Sequence, residues 1–196
     1  MTPATDHWRL LVTAIEEQRA QARRDYRHLI LQFVGRLIDA KHCTATAMGW
    51  LCPRRVAGGR NVLTWSVNSD TRADDHPALR LKGLTELEDG AVLSIWVETS
   101  AAADLLSYSV GLRGERRGSG NPWYARIDLD AGPRGKGPCG HPRLHCHLGG
   151  NPGQPDDPRA PLPWISPVHA LEWLLTTVHS DFEPSPWRPE GLEGKE

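Results

Sequence analysis

The amino-acid sequence predicts an α+β protein in which a long N-terminal helix and a C-terminal helix pack on an antiparallel sheet of about six strands. Apolar residues recur at three- and four-residue steps over residues 1–40, and several later segments alternate apolar with polar residues. A Ser-Pro pair then precedes a second helical pattern. We expect one domain over residues 1–182 and a flexible, Pro- and Glu-rich tail over residues 183–196.

The N-terminal helix is predicted from an apolar stripe at helical spacing. This stripe consists of Trp8, Leu11, Ile15, Ala22, Tyr26, Leu29, Phe33 and Leu37. Asp6 is the expected N-cap, because an aspartate side chain accepts a hydrogen bond from the first free N–H groups of a helix. Gly35 is expected to bend or tighten the helix, since glycine costs about 1 kcal/mol relative to alanine at such a position.

Six segments are predicted as strands, because apolar and β-branched residues alternate or dominate in them. They cover residues 44–50, 62–67, 91–99, 105–112, 123–129 and 143–148. Residues 52–60 are predicted as a basic hairpin loop and residues 79–84 as a short helical turn. The short connection over residues 100–104 indicates that its flanking strands are antiparallel neighbours.

The C-terminal helix is predicted to begin at Pro167, with Ser166 as its N-cap. Serine is favoured at the N-cap, and proline at the first helical position, where its missing N–H is not needed. The Pro-rich residues 151–163 are expected to form an extended connector before this helix. The buried stripe of the helix is predicted to comprise Val168, Leu171, Leu174 or Leu175, and Val178.

Charge and composition exclude several classes of protein. The net charge of −1 hides positive blocks over residues 1–60 and 113–147 and negative blocks over residues 61–112 and 148–196, which argues against indiscriminate coating of nucleic acid. No apolar run could span a membrane and no signal peptide is evident, so a cytoplasmic protein is expected. The four cysteines fit a reduced compartment, and neither a phosphate-binding P-loop nor a hydrolase Gly-x-Ser-x-Gly motif is present.

The strongest candidate site lies on the strands predicted at residues 123–129 and 143–148. Because side chains alternate between the faces of a strand, Arg126 and Asp128 share one face of the first strand, and His145 and His147 share one face of the second. If the strands pair, the four side chains meet on one solvent-facing surface of the sheet. Surface histidines that merely bond a loop are the plainer interpretation.

These residue types suit metal-independent cleavage of a phosphodiester bond. One neutral imidazole would take the 2′-hydroxyl proton and a protonated one would supply a proton to the leaving oxygen, with His145 and His147 in these roles. Arg126 or Arg159 would stabilise the charge that develops on the phosphate, and Asp128 would orient a ring.

A metal site is the alternative that uses the same histidines. A His-x-His pair on a strand can chelate, and Asp128, Cys139 or His141 could complete a tetrahedral set. However, no Cys-x2-Cys spacing is present, and Cys146 is expected on the opposite face from its neighbouring histidines. A structural zinc is therefore not expected, and no metal or other cofactor is predicted.

A second signal is a set of basic residues in Gly-containing loops, which could fold over a phosphate backbone. RNA is the expected partner ahead of DNA. The plainer interpretation is that these side chains keep a tryptophan-rich sheet in solution. The predicted nucleic-acid contacts are Arg54, Arg55, Arg60, Arg113, Arg116, Arg117, Arg134 and Lys136.

The C-terminal half of the chain carries four ordered motifs: Tyr124-x-Arg126-Ile127-Asp128, His141-Pro142-x-x-His145-x-His147-x-Gly149, Arg159-x-Pro161 and Ser166-Pro167. Their order resembles that of a bacterial family of uncharacterised proteins from mobile elements and defence loci. The chain is also similar to TumE-type toxins, which end in an Arg-x-Asp strand followed by a histidine-rich strand, although here a long Gly- and Pro-rich loop separates the two.

The resemblance implies a nucleic-acid-related role in a bacterial defence or toxin-like system. Under the first hypothesis the protein is a metal-independent ribonuclease. Under the second it is a non-catalytic subunit of a larger defence or CRISPR-type complex, which binds nucleic acid and a protein partner. Under the third it is an antitoxin-like accessory binder.

Overall fold

Eight strands and two α-helices occupy the part of the chain that the computed structural model describes, which comprises residues 25–66, 78–130, 144–150, 159–162 and 165–182. The helices are α1 (Tyr26–Asp39) and α2 (Pro167–Thr176). The strands are β1 (Leu51–Arg55), β2 (Asn61–Trp65), β3 (Leu79–Leu81), β4 (Ala91–Thr99), β5 (Leu105–Glu115), β6 (Pro122–Leu129), β7 (Leu144–Gly149) and β8 (Arg159–Pro161). The α+β class is therefore confirmed.

The first helix is shorter than the sequence predicts. Asp25 has a non-helical backbone (φ −155°, ψ 60°), and its carboxylate accepts a hydrogen bond from the backbone N–H of His28. Asp25 is thus the N-cap of a 14-residue helix, and a single continuous helix that runs from Asp6 through this point is wrong. The predicted cap at Asp6 lies outside the described residues.

One predicted strand is wrong. Residues Ala45–Gly49 form a 3₁₀ turn, and the strand follows at Leu51–Arg55, inside the segment predicted as a loop. Ala, Met and Gly have little preference for strands, and the turn instead buries Ala47. Pro53 is tolerated because β1 lies at the edge of the described sheet, where β2 is its one partner strand.

The described sheet is wholly antiparallel and has eight strands rather than about six. Its order is β1-β2-β4-β5-β6-β7-β8. Both β2 and β3 pair with the same side of the nine-residue strand β4. β3 pairs with its first residues and β2 with its last, so the two do not compete. The additional strands β3 and β8 have three residues each, a length at which alternation cannot be recognised in a sequence.

Both helices pack on one face of the sheet. The inward residues of β4, β6 and β7 join those of α1 and α2 in one apolar cluster. The Tyr108 hydroxyl on β5 donates a hydrogen bond to the Ile165 carbonyl just before α2. Burial raises the pKa of Tyr108, and the charge of Asp128 raises it further, so this phenol stays protonated and remains a donor.

The helix α2 begins as the sequence predicts. Pro167 is the first helical residue, and the Ser166 side chain accepts a hydrogen bond from the His169 backbone N–H. Glu172 lies on the buried side of this helix and forms an ion pair with Arg36 of α1. This pair joins the two helices where both lie against the sheet.

Some predictions concern segments outside the described residues. These are the N-terminal helix before residue 25, the loop that carries Arg134 and Lys136, the connector over residues 151–158 and the tail over residues 183–196. Within the described ranges, neither helix has the length and apolar character needed to cross a membrane.

Candidate functional site

The sheet face opposite the helices carries two polar rows that run across five strands. The strand registers place five residues side by side in the first row and five in the second. The first row is Ser94, Gly111, Arg126, His147 and Arg159. The second row is Trp96, Ser109, Asp128, His145 and Pro161.

Four residues at the centre of these rows form what we call the Asp128 cluster: Arg126, Asp128, His145 and His147. Arg126 Nε donates a hydrogen bond of 2.8 Å to Asp128 Oδ2. The same oxygen lies 3.2 Å from His147 Nε2 and 3.9 Å from His145 Nε2. The two imidazole rings meet edge to face, with 4.9 Å between their centroids.

The pairing of β6 with β7 creates this cluster. Asp128 lies directly opposite His145, and Arg126 directly opposite His147. Each strand adds a second residue to the same face two positions along, so four side chains converge within cross-strand contact distance. The alternation in the two segments therefore predicts the juxtaposition correctly, while the chemical roles of the residues stay predictions.

The face is less accessible than the sequence suggests. Only 2% of His145 and 5% of His147 are exposed, so the expectation that both rings face solvent is wrong. β7 is not an edge strand, because β8 pairs with it, and its side chains are flanked by rows on both sides. Within the cluster, exposure is concentrated at Arg126, whose side chain is 40% exposed against 13% for Asp128.

The backbone of Arg159 is placed beside the Asp128 cluster by strand pairing. It pairs with His147 across β7 and β8, which extends the first row by one strand. Its side chain is not among those that the structure describes, so its predicted contact with phosphate stays a prediction.

Two further residues lie on this face: Gly111, which the sequence did not single out, and Tyr124, which belongs to the motif quoted for the resemblance. Gly111 lies directly opposite Arg126, and a Cβ atom placed there would come 2.9 Å from Ser94 Oγ and 3.5 Å from Arg126 Cγ. Tyr124 is buried, and its hydroxyl has no hydrogen-bond partner among the described residues. A glycine inside an alternating strand is the signal that could have identified the first, because it often marks a close approach.

Of the basic residues predicted to contact nucleic acid, four lie on or beside strands β1, β2 and β5, and two, Arg116 and Arg117, follow β5. Arg54 and Arg55 on β1 and Arg113 on β5 are exposed. Arg60 Nη1 lies 2.6 Å from Glu98 Oε1 and so has an acidic partner within the chain. Arg54, Arg55 and Arg60 lie at the β1–β2 edge of the sheet, away from the Asp128 cluster. Arg113 lies on the same face as that cluster, opposite Tyr124 and one row from Arg126.

Arg116 and Arg117 have a structural role. Nη2 of Arg117 donates hydrogen bonds to the carbonyl oxygens of Leu84 (3.2 Å) and Leu87 (2.7 Å), and Nη1 lies 3.4 Å from Glu88. Arg116 stacks over the Trp123 ring, with 5.2 Å from Cζ to the ring centroid. A phosphate would have to compete with these internal partners for either guanidinium.

We expect Arg117→Ala to lower the free energy of unfolding by about 1–2 kcal/mol, because the part-buried carbonyls of Leu84 and Leu87 lose a charged donor. Urea denaturation measures this loss. Arg54→Ala is the matched control, since Arg54 is exposed and should change stability by less than about 0.5 kcal/mol. Equal stability of the two variants would contradict the structural role.

Two of the described cysteines, Cys43 and Cys146, are buried and favour the neutral thiol. Burial raises the pKa of Cys43 to about 11, and burial also raises that of Cys146. Cys146 belongs to the apolar cluster under the helices, on the opposite face from its neighbouring histidines, as the sequence predicts.

Comparison of the chain with protein-family models, with curated proteins and with solved structures gives no match.

Proposed function

We propose that this protein acts on RNA, and that it cleaves a phosphodiester bond at the Asp128 cluster as part of a bacterial defence or toxin-like system. The observation that carries the proposal is the arrangement around one oxygen. Asp128 Oδ2 accepts a hydrogen bond from the half-exposed Arg126 and lies beside Nε2 of the buried His147.

Arg126 is the group suited to bind the substrate phosphate. Its Nε is occupied by Asp128, which fixes the plane of the guanidinium, and no described residue accepts a hydrogen bond from its Nη atoms. A planar fork of donors matches two phosphate oxygens, and a donor already held in place costs no reorganisation when negative charge develops.

The imidazoles are suited to proton transfer in the metal-independent reaction that the sequence predicts. A carboxylate 3.2 Å from His147 Nε2 orients the ring and stabilises its protonated form, which is what a general base needs as it accepts the 2′-hydroxyl proton. His145, in edge-to-face contact with His147, would supply a proton to the leaving oxygen. Since both rings are buried, the scissile bond has to approach beside Arg126.

The experiment uses labelled single-stranded RNA and single-stranded DNA, each with and without EDTA, and resolves cleavage and gel shift together. We expect cleavage of RNA and a loss of at least about 100-fold in His147→Ala. Arg126→Lys should also be impaired, because an ammonium group cannot make the two-point contact. His28→Ala is the control, since His28 is an exposed histidine on α1.

Two outcomes would contradict a catalytic role. Cleavage of neither nucleic acid would do so, and so would equal rates for the wild type and His147→Ala, which would indicate a contaminating nuclease.

A second candidate function is that of a nucleic-acid-binding subunit without catalysis. Trp96 favours it, because this side chain is 46% exposed and lies in the same row as Asp128 and His145. An exposed aromatic beside a phosphate-binding guanidinium is suited to stacking a base of a single strand. A gel shift without cleavage that weakens in Trp96→Ala would support this function.

A further inference from the structure

We propose that Asp128, His145 and His147 form a binding site for one divalent transition-metal ion of the zinc class. The inference rests on the proposed function for the bond that is cleaved, but it makes that cleavage metal-assisted rather than metal-independent. One ligand atom from each of the three side chains lies within 4.8 Å of the other two.

The distances fit a single ion. Two bonds of about 2.0–2.1 Å at a tetrahedral angle place their ligand atoms roughly 3.3 Å apart. The separations between Asp128 Oδ2 and the two Nε2 atoms are 3.2 Å for His147 and 3.9 Å for His145, on either side of that value. Side-chain shifts of less than about 1 Å would bring all three atoms onto one coordination sphere.

The donor set selects the type of metal. Two imidazole nitrogens and one carboxylate oxygen suit Zn²⁺, Fe²⁺ or Mn²⁺, whereas Mg²⁺ and Ca²⁺ prefer oxygen ligands throughout. Three protein ligands leave at least one position for water or a substrate oxygen, which is typical of catalytic rather than structural sites. Among the described residues, the set is drawn from one face of β6 and β7, so no thiolate joins it: Cys146 lies on the other face.

The surroundings support the ligands. The three side chains project from paired strands, which hold them more rigidly than loops would. Arg126 donates a hydrogen bond to the carboxylate and so orients it, which is the usual role of groups just outside a coordination sphere. Low exposure of the histidines and of Asp128 limits competition from bulk water.

A bound metal would replace the metal-independent mechanism, although the phosphodiester bond that is cleaved would be the same. His145 and His147 would be ligands, and the metal would lower the pKa of a coordinated water or hydroxyl group, which would then act as the base or nucleophile. Arg126 and the metal would together attract the phosphate, since both are cationic.

The first experiment measures metal binding alone, on the full chain after dialysis against chelator. Zn²⁺ is titrated in competition with a chromophoric chelator, and Co²⁺ is titrated while its visible absorption is recorded. We expect one equivalent of each ion, with a Co²⁺ spectrum of low coordination number and no thiolate-to-cobalt charge-transfer band.

The variants are Asp128→Asn, which keeps the shape of the side chain, His147→Ala and the control His28→Ala. We expect the first two to lower Zn²⁺ affinity by more than about 100-fold, since even groups outside a coordination sphere contribute 10–100-fold. Circular dichroism checks that the variants are folded.

The metal site would be refuted by a wild type that binds no stoichiometric ion, by an Asp128→Asn variant with unchanged affinity, or by a charge-transfer band that places a cysteine in the sphere. Because nucleic acid is absent from these titrations, failure of the metal site and failure of the proposed ribonuclease activity are distinguished.

Discussion

Replacement of Arg36 by methionine is expected to lower the free energy of unfolding by about 2–3 kcal/mol. Arg36 pairs with Glu172, which is only 3% exposed, and also lies over the rings of Phe33 and Phe182. Removing one partner of a buried ion pair costs roughly 3–5 kcal/mol, because the other charge stays buried without compensation. We expect less here, since the Arg36 side chain is 33% exposed and solvent screens part of the interaction.

Urea denaturation followed by circular dichroism measures this effect. Arg27→Met is the matched control, because Arg27 is an exposed arginine of the same helix. The double variant Arg36→Met with Glu172→Leu should be more stable than Arg36→Met alone, since it removes the uncompensated carboxylate. If Arg36→Met and Arg27→Met are equally stable, the ion pair does not hold α1 against α2.

The strongest local patterns predicted the fold most accurately. β4 spans Ala91–Thr99, the range predicted from its alternation of apolar and polar residues. A strand with one face buried against helices needs apolar residues at every second position, so the pattern is visible in the sequence. The capping pair Ser166-Pro167 likewise placed the start of α2 correctly, since its hydrogen bond is local. Asp25 carried a similar signal, which the continuous apolar stripe around it concealed.

Elements stabilised by distant partners could not be predicted. β3 and β8 are three-residue strands that form against β4 and β7, and nothing within three residues identifies them. The partners of Arg117 are carbonyls about thirty positions away, so its loop composition pointed to nucleic acid rather than to a structural role. The composition of a loop indicates its charge and solubility, whereas its hydrogen bonds to distant residues depend on the fold.

The same distinction applies to the site. The pairing of β6 with β7 follows from alternation, so the meeting of Asp128 with His145 and His147 could be predicted. Their burial could not, because it depends on β8 and on the neighbouring rows of the sheet. Burial matters to the chemistry: it favours metal ligands and oriented proton-transfer groups over freely exposed histidines.

Replacement of Gly111 by valine is expected to reduce RNA cleavage at the Asp128 cluster, although Gly111 lies on the neighbouring strand β5 and not in the cluster. The new Cβ would come 2.9 Å from Ser94 Oγ and 3.5 Å from Arg126 Cγ, and the valine methyl groups would add to this crowding. The Cβ atom itself would make only an ordinary contact with Arg126, so we expect the methyl groups beyond it to crowd the Arg126 side chain and to weaken its hydrogen bond to Asp128. We expect RNA cleavage to fall by about 10–100-fold, less than the roughly 100–1000-fold that complete loss of a transition-state donor costs, with a stability cost of about 1–3 kcal/mol from overpacking.

The matched control is Gly49→Val, where an added Cβ atom meets nothing within 4 Å. A double-mutant cycle then shows how Gly111→Val acts. If the valine works by displacing Arg126, it should reduce cleavage little further in an Arg126→Ala background. Additive losses would mean that Gly111 acts elsewhere on the sheet, and unchanged cleavage in Gly111→Val would mean that valine at this position does not displace Arg126.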